Sequence, residues 1–344
     1  MANTASRAMK SNSTPVRKIA VMNQKGGVGK TTTTVNLGAA IASAGKRVCL
    51  IDLDPQAHLT LHLGMDQEKF EHSVYDLLID PDCLAEQCVI NCLKNLDVIA
   101  SEVDLAAAEA ELATHPQRQK ILSDKFKAIS DNYDVVLIDC PPSLGLLTLN
   151  ALALADEVFI PLQAHFLALQ GLGKLLETVA LVAQSVNPNI QVTGVPLCMH
   201  EKQTTLAKEV VADLEEFFVA ARDQDVPWRN CRLLSPPIRR NIKLAEAPSF
   251  GKTIFDYSPQ CAGAADYRKM AKRLIHQWKV EAAAIKKATK TKSAKTGPNT
   301  KPKADSMVEI IERVEGKVDE LPNNPAMADA PADASVSAAQ DRGS

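Results

Sequence analysis

Within eight positions, Lys25-Gly26-Gly27-Val28-Gly29-Lys30-Thr31-Thr32 combines three glycines, two lysines and two hydroxyl side chains. Glycines let a backbone curl until successive N–H groups converge on one anion. A helix starting near Lys30 adds the positive end of its dipole to the same place. In that arrangement the amides of Gly26, Gly27, Val28 and Gly29, continued by Lys30, Thr31 and Thr32, cradle phosphates. The Lys30 ammonium lies along the β- and γ-phosphates, and the Thr31 hydroxyl is a ligand of Mg²⁺. The chemistry predicted is nucleoside triphosphate binding.

Two further stretches supply carboxylates. Ile51-Asp52-Leu53-Asp54-Pro55-Gln56 places two acids two residues apart at the end of an apolar run. On a strand they share a face or straddle its exit; one can hydrogen-bond to the loop while the other orients water. Val135-Val136-Leu137-Ile138-Asp139 is an apolar strand ending in one carboxylate. That is how a buried strand delivers an Asp to a Mg²⁺ shell, often through water. The base-reading sequence Asn-Lys-x-Asp of GTP-binding proteins is absent, which favours ATP.

The elements that position these groups are legible as alternating patterns. Strands are predicted at Lys18–Met22, Arg47–Leu53, Leu96–Ala100, Asp134–Asp139, Glu157–Pro161 and Ile190–Pro196. Helices are predicted at Thr31–Ala44, Leu105–Leu112, Arg118–Ser130, Leu146–Leu154, Leu169–Val186, Thr205–Ala221 and Ala264 to about Lys287. The strands are almost continuously apolar, as strands covered on both faces are. The expected fold is α/β: a doubly wound, mostly parallel sheet with helices on both faces. In such folds ligands bind at the carboxyl ends of the strands.

With 344 residues, 46% hydrophobic and 23% charged, the chain is long enough for one large domain. Its formal charge of −2 excludes a uniformly basic protein, so any nucleic-acid binding must use a local patch. No apolar run approaches a membrane span, residues 1–16 lack the apolar core of a secretory signal, and eight scattered cysteines suggest a reducing cytosol rather than a disulfide framework. The expected layout is a flexible segment 1–17, a catalytic domain 18–284, and a disordered tail 285–344, first Lys-rich and then acidic. Within the tail, Val308–Val318 has the pattern of a short partner-bound helix. Cys83, Cys88 and Cys92 fit no zinc spacing and read as buried, inert thiols. His58 and His62, four apart, have the spacing of one helix face but no third ligand. Met270, Leu274, Ile275 and Trp278 read as a core-facing stripe rather than a membrane-binding face.

The form K-G-G-V-G-K-T, with Gln24 where the ordinary motif has glycine, resembles the deviant Walker A loop of the ParA/MinD family of P-loop ATPases. The run Asp139-Cys140-Pro141-Pro142-Ser143-Leu144-Gly145 through Leu152 resembles the ParA-type segment, as do Pro161-Leu162-Gln163, Ala168–Leu172 and Asn241–Ser249. The resemblance covers about residues 18–280. It implies that Lys25 reaches across a dimer to the partner's nucleotide, that Asp54 activates the attacking water, and that Asp52 supports the loop and metal. It implies ATP and Mg²⁺ as cofactors, slow ATP hydrolysis requiring an ATP-dependent homodimer, and Arg240 near the nucleotide.

ParA-type members are also similar in binding DNA non-specifically as dimers, which implies a cytoplasmic, nucleoid-associated protein triggered by a ParB-like centromere-binding partner. Lys202, Arg239 and Lys243, with Arg240, are the cations placed to contact DNA. Three positions depart from the family pattern: Ala57-His58 follows Asp-Pro-Gln, Gln203 stands where some relatives use an arginine for DNA, and Arg239 replaces a proline. With seventeen residues ahead of Lys18, a sequence-reading domain is not expected there. The alternative within the same fold is a MinD-like or cargo-positioning ATPase acting on a membrane or protein assembly.

Overall fold

A computed structural model describes residues 15–66, 69–165, 168–201 and 204–292. Lys202, Gln203, segment 1–14 and the tail from 293, including Val308–Val318, lie outside the described residues. The strands are β1 (Arg17–Val21), β2 (Val48–Asp52), β3 (Val89–Leu93), β4 (Leu96–Ile99), β5 (Val135–Asp139), β6 (Glu157–Phe159), β7 (Gln191–Pro196) and β8 (Arg232–Leu234). The helices in the first half are α1 (Lys30–Ser43), α2 (His58–His62), α3 (Val74–Ile79), α4 (Ala108–Glu111), α5 (Ile121–Phe126) and α6 (Leu146–Leu154). They are followed by α7 (Ala168–Ser185), α8 (Thr205–Ala220), α9 (Ile242–Glu246), α10 (Ile254–Tyr257) and α11 (Ala262–Lys292).

The strands form one sheet of eight, in the order β3-β4-β2-β5-β1-β6-β7-β8. Every pairing is parallel except the β3–β4 hairpin at one edge. From β1 the chain winds outward to β2; after β5 it crosses to the other side for β6, β7 and β8. Right-handed crossovers in opposite directions put their helices on opposite faces, so the sheet is doubly wound as expected. The winding reverses around β1 and β5, and the crevice for a ligand opens at their carboxyl ends.

Alternation within the central strands assigns the faces. Ile19 and Val21, Val48 and Leu50, and Val135 and Leu137 share one hydrophobic cluster with Val35, Leu37 and Ile41 of α1 and Tyr267, Met270, Leu274 and Trp278 of α11. The stripe on α11 is therefore core. Burying each such side chain contributes roughly 1.5–3 kcal/mol. Asp52 and Asp139 continue the same alternation, two residues beyond Leu50 and Leu137. Both carboxylates thus emerge on the α1 face, in register with each other.

The expected strands and the longer helices are present, with ends shifted by one or two residues in most cases. The predicted helix over 118–130 shrinks to α5, and that over 105–112 divides into a 3-10 turn (Val103–Ala106) and α4. Strands β3 and β8 were not expected. β3 is a half-exposed edge strand whose apolar run is interrupted at Asn91, and β8 has three residues. α11 continues past 284 because Ala and Lys are strong helix formers and no Gly or Pro occurs before Gly297.

Gly64, after α2, and Gly251, after the turn Ala247–Phe250, cross at close range. Gly251 has φ +61°, and a β-carbon there would lie 2.7 Å from the Gly64 Cα. The contact pins α2, and with it Thr60, against the turn. Gly251→Ala is expected to destabilise by about 2–4 kcal/mol through left-handed strain and backbone overlap. The check is a thermal melt, with a midpoint roughly 5–10 °C below wild type.

Candidate nucleotide site

The glycine loop leaves β1 and is anchored before it turns. Asn23 Nδ2 donates to the Pro161 carbonyl at 2.8 Å, and its Oδ1 accepts from the Lys25 amide at 3.0 Å. Gln24 through Gly27 are exposed, whereas Val28 is buried as a plug. Gly29 closes the loop at φ 94°, a left-handed conformation, and delivers Lys30 as the first residue of α1. No atom beyond the chain neighbours lies within 4 Å of where β-carbons at Gly26 and Gly27 would stand, so open space faces these positions. Lys30 is only 9% exposed.

Both Asp139 oxygens accept from hydroxyls of α1, Thr31 Oγ1 to Oδ2 at 2.6 Å and Thr34 Oγ1 to Oδ1 at 3.1 Å. Burial pushes the Asp139 carboxyl up to about 8; the neighbouring Asp52 charge adds to the rise, while Thr31, Thr34 and the Lys30 ammonium oppose it. Asp52 is pushed up to about 6, again chiefly by burial. It accepts from the Thr60 amide at 2.9 Å, the Thr60 hydroxyl at 2.8 Å and the Asp54 amide at 3.2 Å. Its hydrogen bonds therefore run to α2 and the strand exit, not to the glycine loop. Asp54 is 7% exposed and its Oδ1 accepts from the Gln56 amide at 3.0 Å. Ser101 ties this layer together: its hydroxyl donates to the Asp54 carbonyl and its amide donates to Thr60 Oγ1.

Two adjacent buried acids with raised proton affinity, one already held by a threonine hydroxyl at a helix start, form a donor set suited to a hard divalent cation. Thr31 and Asp139 are the residues that would hold it, with Asp52 behind. Thr34, Thr60, Ser101 and Asn23 were not singled out from sequence. Thr34 alone had a signal, since it lies one helical turn beyond Thr31.

Lys25 is exposed, and its ammonium donates to His165 Nε2 at 2.7 Å. Partial burial and the Lys25 charge hold the His165 pKa below its usual value, which keeps the imidazole a neutral acceptor. His165 was not expected from sequence.

The segment carrying the other expected cations lies at the same end of the sheet. The His200 amide donates to the Ile238 carbonyl, the Ile238 amide to the Leu197 carbonyl, and Cys198 between them approaches Gly29. Each described cation of this segment has an acidic partner. Arg239 makes a two-pronged bond to Asp266, with Nε to Oδ2 at 2.9 Å and Nη2 to Oδ1 at 2.8 Å. Arg240 meets Glu201 at 3.0 Å, and Lys243 meets Glu246 at 2.8 Å. Asn241 caps α9. Cys83 and Cys88 are buried with sulfurs 3.4 Å apart, and Cys92 is half-buried. Among the described residues no His/Cys/Asp/Glu cluster of three or more is placed to hold a metal. His58 and His62 do share α2, but His58 is exposed and His62 buried.

The family signature described as an AAA domain matches residues 16–192, which include the loop, Asp52, Asp54 and Asp139. The chain is 44% identical over 256 residues to the sporulation initiation inhibitor protein Soj of Bacillus subtilis, covering 74% of this chain and 97% of Soj. The chain belongs to the ParA/Soj family of P-loop ATPases. It is also 41% identical over 263 residues to the chromosome partitioning protein ParA of Caulobacter vibrioides, covering 76% of this chain and 94% of that protein. Among solved structures it is similar to a cobyrinic acid a,c-diamide synthase from Mycobacterium smegmatis with bound ATP analog and magnesium. That similarity has 36% identity and a TM-score of 0.63, covering 77% of this chain and 96% of the other. No helix among the described residues is long and apolar enough to cross a membrane.

The raised Asp139 pKa sets a pH dependence. A carboxyl that holds its proton more tightly when folded stabilises the fold below the ordinary carboxylate range, and that stability is lost as pH rises toward the folded pKa. Between the folded values of about 6 for Asp52 and about 8 for Asp139, Asp139 is the one of the pair that still holds a proton folded and releases it on unfolding. The nucleotide-free protein is expected to lose about 2–4 °C of melting temperature per pH unit there. Asp139→Asn is expected to flatten that decline, as read from paired melts across the range.

Proposed function

We propose that the chain is an ATP-driven partitioning switch. In this reading it binds ATP with Mg²⁺, dimerises around the nucleotide, binds DNA non-specifically as a dimer, and is returned to monomers by slow hydrolysis that a ParB-like centromere-binding partner accelerates. The observation carrying it is the joint geometry of the loop and the two strand ends: Lys30 buried at the start of α1, Thr31 bonded to Asp139, and Lys25 exposed beside them. The partitioning names of relatives at 44% and 41% identity support the cellular role.

Each residue has a part in this reading. The amides from Gly26 to Gly29, with Lys30, Thr31 and Thr32, hold the phosphates. Thr31 and Asp139 hold Mg²⁺, which supplies charge neutralisation at the phosphates when bound. Asp54, positioned by its own turn and by Ser101, orients the attacking water. Lys25 leaves His165 and serves the partner's nucleotide in trans, the part an arginine finger plays elsewhere. Arg240, exposed at the crevice end of the sheet, contacts the nucleotide once released from Glu201. The catalytic domain is taken as 18–284, and the protein is nucleoid-bound while ATP persists.

Lys30→Ala is expected to abolish nucleotide binding. Lys25→Ala is expected to bind a fluorescent ATP analogue normally while losing hydrolysis roughly a thousandfold, in line with removal of a trans-acting cation. Normal turnover by Lys25→Ala would sink the trans role. Random-sequence duplex DNA should shift in a gel with ATP, and not with ADP or with Lys30→Ala; ATP binding without any shift would point instead to a membrane or protein cargo.

A further inference from the structure

The cations of segment 239–243 are engaged with carboxylates, but a different surface carries unengaged ones. On α11, the exposed positions from 265 to 280 are Ala265, Arg268, Lys269, Lys272, Arg273, His276, Lys279 and Val280. There is no carboxylate among them. Asp266 is buried under Arg239, and Glu281 belongs to the half-buried ion cluster of Arg17 and Arg232. Lys269, Lys272 and Lys279 form no ion pair with a described residue. Arg268 stacks over Phe255 and donates to the Pro259 carbonyl, and Arg273 donates to Ser235 Oγ, so both keep their full charge.

This pattern is not what an ordinary solvated helix face looks like. Solvated faces alternate signs at i,i+4, which stabilises the helix. Here Arg268–Lys272 and Lys269–Arg273 are like-charged at that spacing, which works against helix stability. The exposed face of α8, by contrast, carries Glu209, Asp213, Glu215 and Glu216 against one cation, Lys208. In a chain of net charge −2, the basic face of α11 is a local concentration. The sequence of the same helix goes on with Lys286, Lys287, Lys290 and Lys292.

We infer that the exposed face of α11, centred on Lys269, Lys272 and Lys279, is the surface on which the phosphate backbone of duplex DNA lies. The inference rests on the DNA-binding reading above and names its surface. From Arg268 to Lys279 the helix rises roughly 16 Å, which matches about five base-pair steps of duplex length. The lysines of this row act as point charges, which give affinity without sequence preference, while the two guanidinium groups are held by Phe255, the Pro259 carbonyl and Ser235. An anionic membrane fits less well. A helix lying in lipid must submerge an apolar face, and the apolar stripe of α11 is already packed in the core.

The test uses the full chain with ATP and Mg²⁺, binding a labelled random-sequence duplex at several salt concentrations. The triple variant Lys269→Gln, Lys272→Gln, Lys279→Gln is compared with a charge-matched control, Lys94→Gln, Lys120→Gln, Lys174→Gln, taken from exposed positions elsewhere. The α11 variant is expected to reduce the slope of log affinity against log salt by about 2.7, the loss of three phosphate contacts. At moderate salt its affinity should fall at least tenfold, with ATP binding unchanged. DNA binding by wild type with the same slope in the α11 variant, or an equal loss in the control, overturns the assignment and leaves the partitioning reading standing. Absence of DNA binding by wild type in every nucleotide state removes both, and binding to phosphatidylglycerol vesicles in its place would reassign the face to membrane.

Discussion

Two carboxylates in the interior, side by side at the ends of parallel strands, govern much of this molecule. Asp52 and Asp139 are fully buried and share a register. An unpaired buried charge is costly enough that a protein must surround it with donors or let it take a proton. The hydroxyls of Thr31, Thr34 and Thr60 and the Lys30 ammonium are those surroundings. For them to arrive, α1 must begin within reach of β5, which requires the sharp loop that only glycine permits at Gly29. α2 must bring Thr60 back over β2, which requires the close Gly64–Gly251 crossing. The fold around the site is thus largely a means of placing hydroxyl groups against two acids.

That polar layer is tied to the helix packed behind α1 through a buried hydrogen bond. Thr33, next to the residues that hold Asp139, shares its hydroxyl with Tyr267 of α11 at 3.1 Å, deep in the core. α1 and α11 lie against each other along the same hydrophobic cluster. A change in the seating of α1 when phosphates fill the loop would therefore be felt by α11 directly, without passing through a flexible connection. The contact between Lys25 and His165 is a second link of this type, joining the loop to the segment that leads into α7.

The sequence made the loop, the strand-end acids and the winding order legible because each has a local cause. Glycine spacing, apolar runs of strand length and helical periodicity all act over a few residues. What escaped was set by distance along the chain. Thr60 and Ser101 reach Asp52 and Asp54 only after the sheet has formed, and His165 meets Lys25 across 140 positions. The segment 239–243 shows the same limit from the other side. Its arginines and lysine read as available charge, yet Asp266, Glu201 and Glu246 engage them in the fold. Charge in a sequence is a count, whereas charge on a surface depends on which partners tertiary structure brings near. β3 and β8 escaped for a different reason, being short edge strands, the first interrupted at Asn91 and the second of three residues.

Those edges have a consequence of their own. One border of the sheet is β8, with three residues; the other is β3, half-exposed and irregular between Asn91 and Leu93. Open strand borders are templates on which neighbouring molecules can stack. Here one is too brief and the other too uneven to serve. Neither border therefore offers a long, regular row of unpaired backbone groups to which another chain could add a strand.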